Sequence, residues 1–188
     1  NSIADLELEG KLFLFADDSV LINIHKNNEN VEERICNDMR KIINFLNDKK
    51  LILNVDKTNF MIVQQIGTKK DETDIVKIES NDSDSIQIIG SYSIKRVTKM
   101  KYLGLMIDDN LKWDSHISSV KSKISSASAV LWKMRYCLPE DTKKRIYKSL
   151  VETHLNYMIT LWGSAPDAAI KSLQVIQNRA LRNVYNLD

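Results

Sequence analysis

The sequence predicts an α+β protein in two parts, with short strands and one helix in residues 1–110 and helices alone in residues 111–188. Three observations carry that expectation. Two apolar runs, residues 12–16 and 20–24, flank the adjacent acids Asp17 and Asp18 as strands flank a turn. Apolar residues recur at helical spacing over residues 30–47, and again from Asp114 onward. The charge divides in the same place. Residues 1–110 carry 15 Lys/Arg against 19 Asp/Glu, and residues 111–188 carry 12 against 6, although the whole chain is only +2. An acidic part joined to a basic part suits cation handling in one and polyanion handling in the other. An unevenly charged solvated surface gives the same count.

At 188 residues the chain is long enough for one sizeable domain or two small ones. Its 43% apolar and 28% charged residues are an ordinary balance for a water-soluble chain. No apolar run approaches 18 residues, so no spanning helix and no membrane partner are expected. The start has neither a basic segment nor an apolar one of a signal peptide, and no Met. The end follows directly on an amphipathic stretch. Both ends suggest a piece of a longer chain. Cys36 and Cys137 fall in expected helices without metal-ligand spacing, which suggests buried thiols in a reducing compartment.

Residues 1–10 lead into the hairpin, their acids facing solvent and Gly10 marking the end. Burying Asp17 and Asp18 between apolar strands costs several kcal/mol each without partners. The pair must therefore meet water, a cation or a substrate at the tip. Mg²⁺ suits such a place, since it takes hard oxygen ligands and keeps positions open for water and phosphate. Asp-Asp-Ser also makes an ordinary acidic turn. A helix is expected from Asn30, whose capping partner is Glu33, to about Asn47. Its face of Val31, Ile35, Met39, Ile42 and Leu46 should pack on the hairpin. Residues 51–55 and 59–63 read as strands around Asp56-Lys57-Thr58. Residues 67–85 read as an exposed connection, with strand-like runs at 75–78 and 86–89. Asp82 and Asp84 lack the Gly and Glu of a calcium loop.

Residues 101–108 read as one strand with Gly104 in its interior, a sign of close approach by another backbone or a ligand. Asp108-Asp109-Asn110 reads as a polar turn. Three helices follow. Asp114 or Ser115 can cap the first, whose apolar face is Ile117, Val120, Ile124, Ala127, Leu131 and Met134. Pro139 opens the second, with Ile146, Leu150, His154, Leu155 and Met158 inward and Gly163 as its stop. Pro166 opens the third. Lys121, Lys123, Lys133, Lys143, Lys144, Arg145, Arg179 and Arg182 lie largely off the apolar faces. As a set they could line a groove for a phosphate backbone; singly each is a solvated side chain. Trp132, Tyr157 and Trp162 read as core aromatics before base-stacking platforms. His154 reads as packed core, and His25 and His116 have no companions at metal spacing.

Phe15-Ala16-Asp17-Asp18, set between apolar strands, resembles the catalytic box of reverse transcriptases in the form found in non-LTR retrotransposons. Further motifs follow in that family's order: Leu53-Asn54-Val55-Asp56-Lys57-Thr58, Tyr102-Leu103-Gly104, Leu111-Lys112-Trp113, His116-Ile117, Leu161-Trp162-Gly163 and Gln177-Asn178-Arg179-Ala180. Each is weak alone, and the order makes them strong. The resemblance covers nearly the whole chain and is greatest to the jockey-like group.

The resemblance implies a partial palm, an antiparallel sheet with a packed helix, followed by an all-α three-helix thumb. It implies two-metal nucleotidyl transfer. Asp17 would be the shared ligand of two Mg²⁺ ions, with Mn²⁺ as a substitute, and Asp18 would add charge and coordination. Lys57 would donate a proton to the leaving pyrophosphate, or else be a solvated turn lysine. Tyr102, Leu103 and Gly104 would hold the primer terminus, and the basic helices the duplex. The implied partners are an RNA template, a DNA primer, deoxynucleoside triphosphates and the fingers and upstream palm of the same parent chain. The implied location is the nucleus. One departure matters. The family needs another Asp upstream of the box, and residues 1–10 are too short to carry its strand. The chain alone is therefore expected to be inactive. The alternative is a non-catalytic nucleic-acid-binding remnant. A nuclease is disfavoured, since no His or Glu joins the Asp pair at useful spacing.

Overall fold

Residues 11–22 form a hairpin on a two-residue turn. Strands β1 (Lys11–Phe15) and β2 (Asp18–Ile22) pair antiparallel, with Phe15 opposite Asp18 and Lys11 opposite Ile22. Ala16 and Asp17 make the connection, and Ala16 sits at φ 53°. Two-residue hairpin turns require such left-handed backbone, which a residue with a Cβ adopts at a cost of about 1–2 kcal/mol. Because the turn takes only two residues, Asp18 and Ser19 belong to β2, which starts and ends before the apolar run 20–24. The strands are not buried as their composition suggested. Phe13, Leu14, Phe15 and Ile22 are 44–62% exposed. A two-stranded ribbon cannot cover its own faces, and among the described residues no third strand pairs with it.

The structure, a computed structural model, describes residues 2–24, 31–63, 75–78 and 92–187. They fall in two compact units, Asn1–Val97 and Thr98–Asp188. Asn30 and its capping box, His25, the connection 67–74, Asp82, Asp84 and the run 86–89 lie outside the described residues.

In the first unit, a 3-10 turn at Ile3–Asp5 is closed by Ser2 and Asp5 bonding reciprocally. The chain then runs along helix α1 (Val31–Asp48), which holds it with three side chains from one face. Asp38 is fully buried, and its two carboxylate oxygens accept from the amides of Glu9 and Gly10, at 2.9 Å each. Arg34 pairs with Glu9 at 3.4 Å, and Lys41 Nζ donates to the Glu7 carbonyl at 2.6 Å. A Cβ on Gly10 would displace the Asn23 side chain and press on the Ile22 carbonyl at 3.0 Å.

Another face of α1 carries Cys36, Met39 and Ile43, which pack with Leu53, Phe60, Tyr92 and Ile94. The helix therefore buries itself on a different sheet from the one expected. That sheet has the order β3 (Asn59–Phe60), β5 (Tyr92–Arg96), β4 (Ile75–Ile78), with β5 antiparallel to β4 and parallel to β3. Residues 51–54 are irregular rather than a strand, with Leu51 and Ile52 exposed. A turn at 55–57 follows, tied by Thr58 Oγ1 donating to the Asn54 carbonyl at 2.8 Å.

The second unit begins with another hairpin, where a single strand was expected. Strands β6 (Lys99–Tyr102) and β7 (Leu105–Asp108) pair antiparallel across Leu103 and Gly104. Their φ values of 45° and 82° are the two positive angles of a type I′ turn. Gly104 thus turns the chain instead of interrupting a strand. Leu105 joins the core of helix α2 (Asp114–Lys133), so this hairpin groups with the helices and the units divide before residue 110.

Helix α2 buries Ile117, Val120, Ile124, Ala127 and Leu131, as its spacing predicts, mainly against Leu173, Ala180 and Val184 of α6 (Asp167–Tyr185). Met134 follows the helix and is exposed. Neither Asp114 nor Ser115 caps α2. Trp113 takes the capping position in left-handed backbone, and the buried Asp108 carboxylate accepts from the Ser115 amide at 3.3 Å. The expected second helix is broken into α3 (Glu140–Tyr147), a π-helical turn at Lys148–Glu152, α4 (Thr153–Asn156) and α5 (Ile159–Trp162). The buried face is Lys143, Tyr147 and Val151, and Leu150 is exposed. Between α4 and α5, Met158 sits at φ 49°, and Trp162 Nε1 donates to the Tyr157 carbonyl at 2.8 Å. Cys36 is half-buried in α1, while Cys137 is exposed in the turn after α2.

Hydrogen bonds to a charged acceptor contribute about 1.5–3 kcal/mol each. Asp38→Ala should therefore release the approach to β1. The expected result is amide hydrogen exchange at Glu9 and Gly10 at least tenfold faster, with Ile94 unchanged. Unaltered exchange at Gly10 would show that the carboxylate is not the anchor.

Candidate active-site hairpin and basic helices

The turn between β1 and β2 puts two carboxylates at one tip. Asp17 is the second turn residue, Asp18 opens β2, and both are exposed. Neither has an ion pair or side-chain hydrogen bond among the described residues. Adjacent carboxylates repel, and a cation between them relieves that repulsion. The donors fit Mg²⁺ in kind: two hard oxygen groups open to water, with positions left for phosphate. Among the described residues no group of three His, Cys, Asp or Glu side chains converges on a common point. Among the described residues the tip therefore offers two carboxylates and no third.

Lys57 is exposed on the turn after α1, and its amide bonds back to the Asn54 carbonyl at 3.2 Å. No hydrogen bond or ion pair joins it to Asp17 or Asp18.

Tyr102, Leu103 and Gly104 come together at the second hairpin's turn, and a side chain 54 residues away fixes them. The Tyr157 hydroxyl donates to the Leu103 carbonyl at 2.6 Å. Its ring lies so close to Gly104 that a Cβ there would sit 3.3 Å from ring Cε1. Tyr157 is thus a half-exposed clamp rather than a core aromatic. It can reach the turn because the helix breaks at its own position. Nothing local in the sequence signals this contact. The far strand is held by His116, whose Nδ1 accepts from the Met106 amide at 3.4 Å. The ring lies 6.5 Å from Trp113 and 5.6 Å from Trp162. Its Nε2 is buried without a partner among the described residues. Burial first, then the Lys123 charge, push its pKa below the ordinary histidine value, while Asp108 pulls the other way.

The basic set divides. Lys143 is 2% exposed, and its Nζ donates to the Arg135 carbonyl at 3.1 Å and to Asn186 Oδ1 at 2.7 Å. It ties α3 to the chain beyond the ends of α2 and α6, and it is not available to a phosphate as the sequence suggested. Lys144 pairs with Glu140 at 2.6 Å and stands over the Tyr185 ring. Lys121 is half-buried. Lys123, Lys133, Arg145, Arg179 and Arg182 are exposed without an ion pair among the described residues. Trp132 is 55% exposed, where a core position was expected, while Trp162 is buried as expected. No helix among the described residues is long and apolar enough to cross a membrane.

In sequence the chain is similar to RNA-directed DNA polymerases of mobile elements. It is 32% identical over 85 residues to a probable RNA-directed DNA polymerase from transposon X-element of Drosophila melanogaster, a stretch that is 44% of this chain and 9% of that protein. It is 29% identical over 106 residues to the RNA-directed DNA polymerase from mobile element jockey of Drosophila funebris, or 55% of this chain and 12% of that one. The matched stretches thus span about a tenth of either relative. No protein-family model matches the chain. No solved structure matches it. The resemblance to non-LTR retrotransposon polymerases that the motifs suggested is borne out by these relatives.

The histidine has a consequence for stability. Above about pH 6.5 its ring is neutral both folded and unfolded. Below that value the unfolded chain takes up the proton more readily, so stability falls as pH falls. His154 is shifted the same way, by burial and then by Lys123. The thermal midpoint should drop between pH 7.5 and pH 5, and the drop should be smaller in His116→Gln. A drop of equal size in that variant would assign the effect elsewhere.

Proposed function

We propose that this chain is the carboxylate-hairpin and helical portion of a retrotransposon RNA-directed DNA polymerase, and that it does not polymerise by itself. The observation that carries this reading is the two-residue turn that presents Asp17 and Asp18 together to solvent. Its motif stands in a sequence similar to polymerases of the jockey and X-element kind. The architecture we infer is a partial palm in the first unit, with the helices of the second unit acting as a thumb.

In this reading Asp17 and Asp18 supply the negative oxygens that hold divalent metal, with Asp17 shared between two ions. Bound Mg²⁺ or Mn²⁺ would stabilise the attacking and leaving oxygens of nucleotidyl transfer. The turn of Tyr102, Leu103 and Gly104 receives the primer terminus, and the Tyr157 hydroxyl keeps that turn from yielding. Lys57 serves as proton donor to the departing pyrophosphate. Lys121, Lys123, Lys133, Arg145, Arg179 and Arg182, with Lys144 where its pairing with Glu140 allows, neutralise phosphates of the RNA template and DNA primer. Polymerisation also needs a further carboxylate and the surfaces that hold the incoming deoxynucleoside triphosphate. We assign these to the fingers and upstream palm of the parent chain, and its place of work to the nucleus.

A second reading, a non-catalytic nucleic-acid-binding remnant, is favoured by one observation. The exposed cations of α2 and α6 have no ion pairs among the described residues, whatever happens at the hairpin.

Primer-extension and filter-binding assays separate the readings. With Mg²⁺ or Mn²⁺, primer-template and nucleotides, this chain should give no extension, yet should bind duplex with a steep salt dependence. Supplied with the upstream segment of its parent, it should extend the primer, and Asp17→Ala should abolish extension. Extension by the chain alone overturns the proposed inactivity. Persistence of extension in Asp17→Ala removes that residue from catalysis. A joined protein that binds but never extends favours the remnant.

A further inference from the structure

Helices α2 and α6 are drawn together at Asn183, whose Nδ2 donates to the Ser128 carbonyl at 3.1 Å and to Ser128 Oγ at 3.2 Å. Beside that contact the small side chains of α2 leave a groove of about 170 Å³. Ser125, Ser128, Ala129 and Trp132 line it from α2, and Ile176 and Arg179 from α6. Trp132 and Arg179 are its two large exposed groups. The Arg135 guanidinium stands 5.8 Å from the Trp132 ring centroid and adds charge beside the groove. Beyond Asp114 and Asp167, which open the two helices, neither helix carries another carboxylate.

An exposed indole, an arginine on the facing wall and acid-free flanks are complementary to a flat ring joined to a phosphate. The groove is too small for more than one such group, since pockets for whole drug-sized ligands start at roughly 300 Å³. The faces of a base inside a duplex are already stacked, whereas an unpaired base has a face free for an aromatic side chain. We propose that the α2–α6 groove holds one unpaired nucleotide of a single strand, its base stacked on Trp132 and its phosphate at Arg179. The inference rests on the reading of the second unit as a nucleic-acid surface. It goes beyond that reading by separating a single-strand subsite from general duplex contact. An acidic peptide matches the charge, but nothing in it need offer Trp132 a flat ring.

Tryptophan emission of the full chain tests this. Trp162 is 1% exposed and Trp113 half-buried, so an oligonucleotide that stacks will quench chiefly Trp132. Affinity is read separately, from the anisotropy of end-labelled single-stranded oligothymidylate and of a labelled duplex of equal length over a range of salt, with circular dichroism as a check on folding. Single strand should quench the wild-type chain. In Trp132→Ala affinity for the labelled single strand should fall about 5- to 150-fold, as loss of one base–aromatic stack does. Trp132→Phe should keep most of the affinity, and Arg179→Gln should lower the logarithmic salt slope for the single strand by about 0.7. Binding of single strand unaffected by Trp132→Ala overturns the subsite and leaves the nucleic-acid reading standing. Equal weakening of duplex and single strand overturns the preference for an unpaired nucleotide. Binding of neither nucleic acid, with an acidic peptide bound instead, overturns the underlying reading as well.

Discussion

The first unit depends on one buried carboxylate. The strands of the β1–β2 hairpin are too exposed to be fixed by packing, so their direction must be set where the chain approaches them. Asp38 does this by accepting two successive amides from a fully buried position. Burying a charge is costly unless hydrogen bonds replace its water. Here the replacements are the backbone groups that lead into β1. Arg34 and Lys41 extend the grip along the same helix face. A second face of α1 is anchored by Ile43 on Ile94. The helix thus ties the approach to β1 to the sheet on which it packs.

The second unit solves a similar problem with different chemistry. Its β6–β7 turn uses two residues of positive φ, one of them leucine, and such backbone persists only where neighbours enforce it. Tyr157 and His116 are those neighbours, one holding a carbonyl at the turn and the other an amide on β7. The helix break at Tyr157 and Met158 exposes backbone that a continuous helix would satisfy, and Trp162 closes it. The break places Tyr157 in the joint between α4 and α5, from which it reaches the turn. In both units polar side chains from outside a hairpin fix it, at the approach to β1 in the first and at the turn itself in the second.

The local chemistry was legible in the sequence. Adjacent acids between apolar runs gave the first hairpin, the spacing 117, 120, 124, 127, 131 gave the buried face of α2, and Pro139 and Pro166 marked helix starts. The failures share a cause, which is that the deciding partner is distant in the chain. Asp38 meets Gly10 across 28 residues, Lys143 meets Asn186 across 43, and Tyr157 meets Leu103 across 54. A lysine on a helix reads as solvated until the chain end that buries it is known. Apolar strands read as buried because composition cannot say whether a covering layer is present. Residues 101–108 read as one strand because Leu103 carries no turn signal, although Gly104 beside it does. Trp132 read as core because large aromatics usually bury, and spacing alone does not say which of them stays at the surface.

The proposed function requires a divalent cation at the tip of the first hairpin. Its most direct test is a titration of the chain with Mn²⁺ followed by amide nuclear magnetic resonance, since the bound ion broadens nearby signals. The predicted result is that residues 16–19 broaden first and that Asp17→Asn removes the effect. Broadening that begins at other acids and spares residues 16–19 would contradict the assignment of Asp17 and Asp18 as metal ligands.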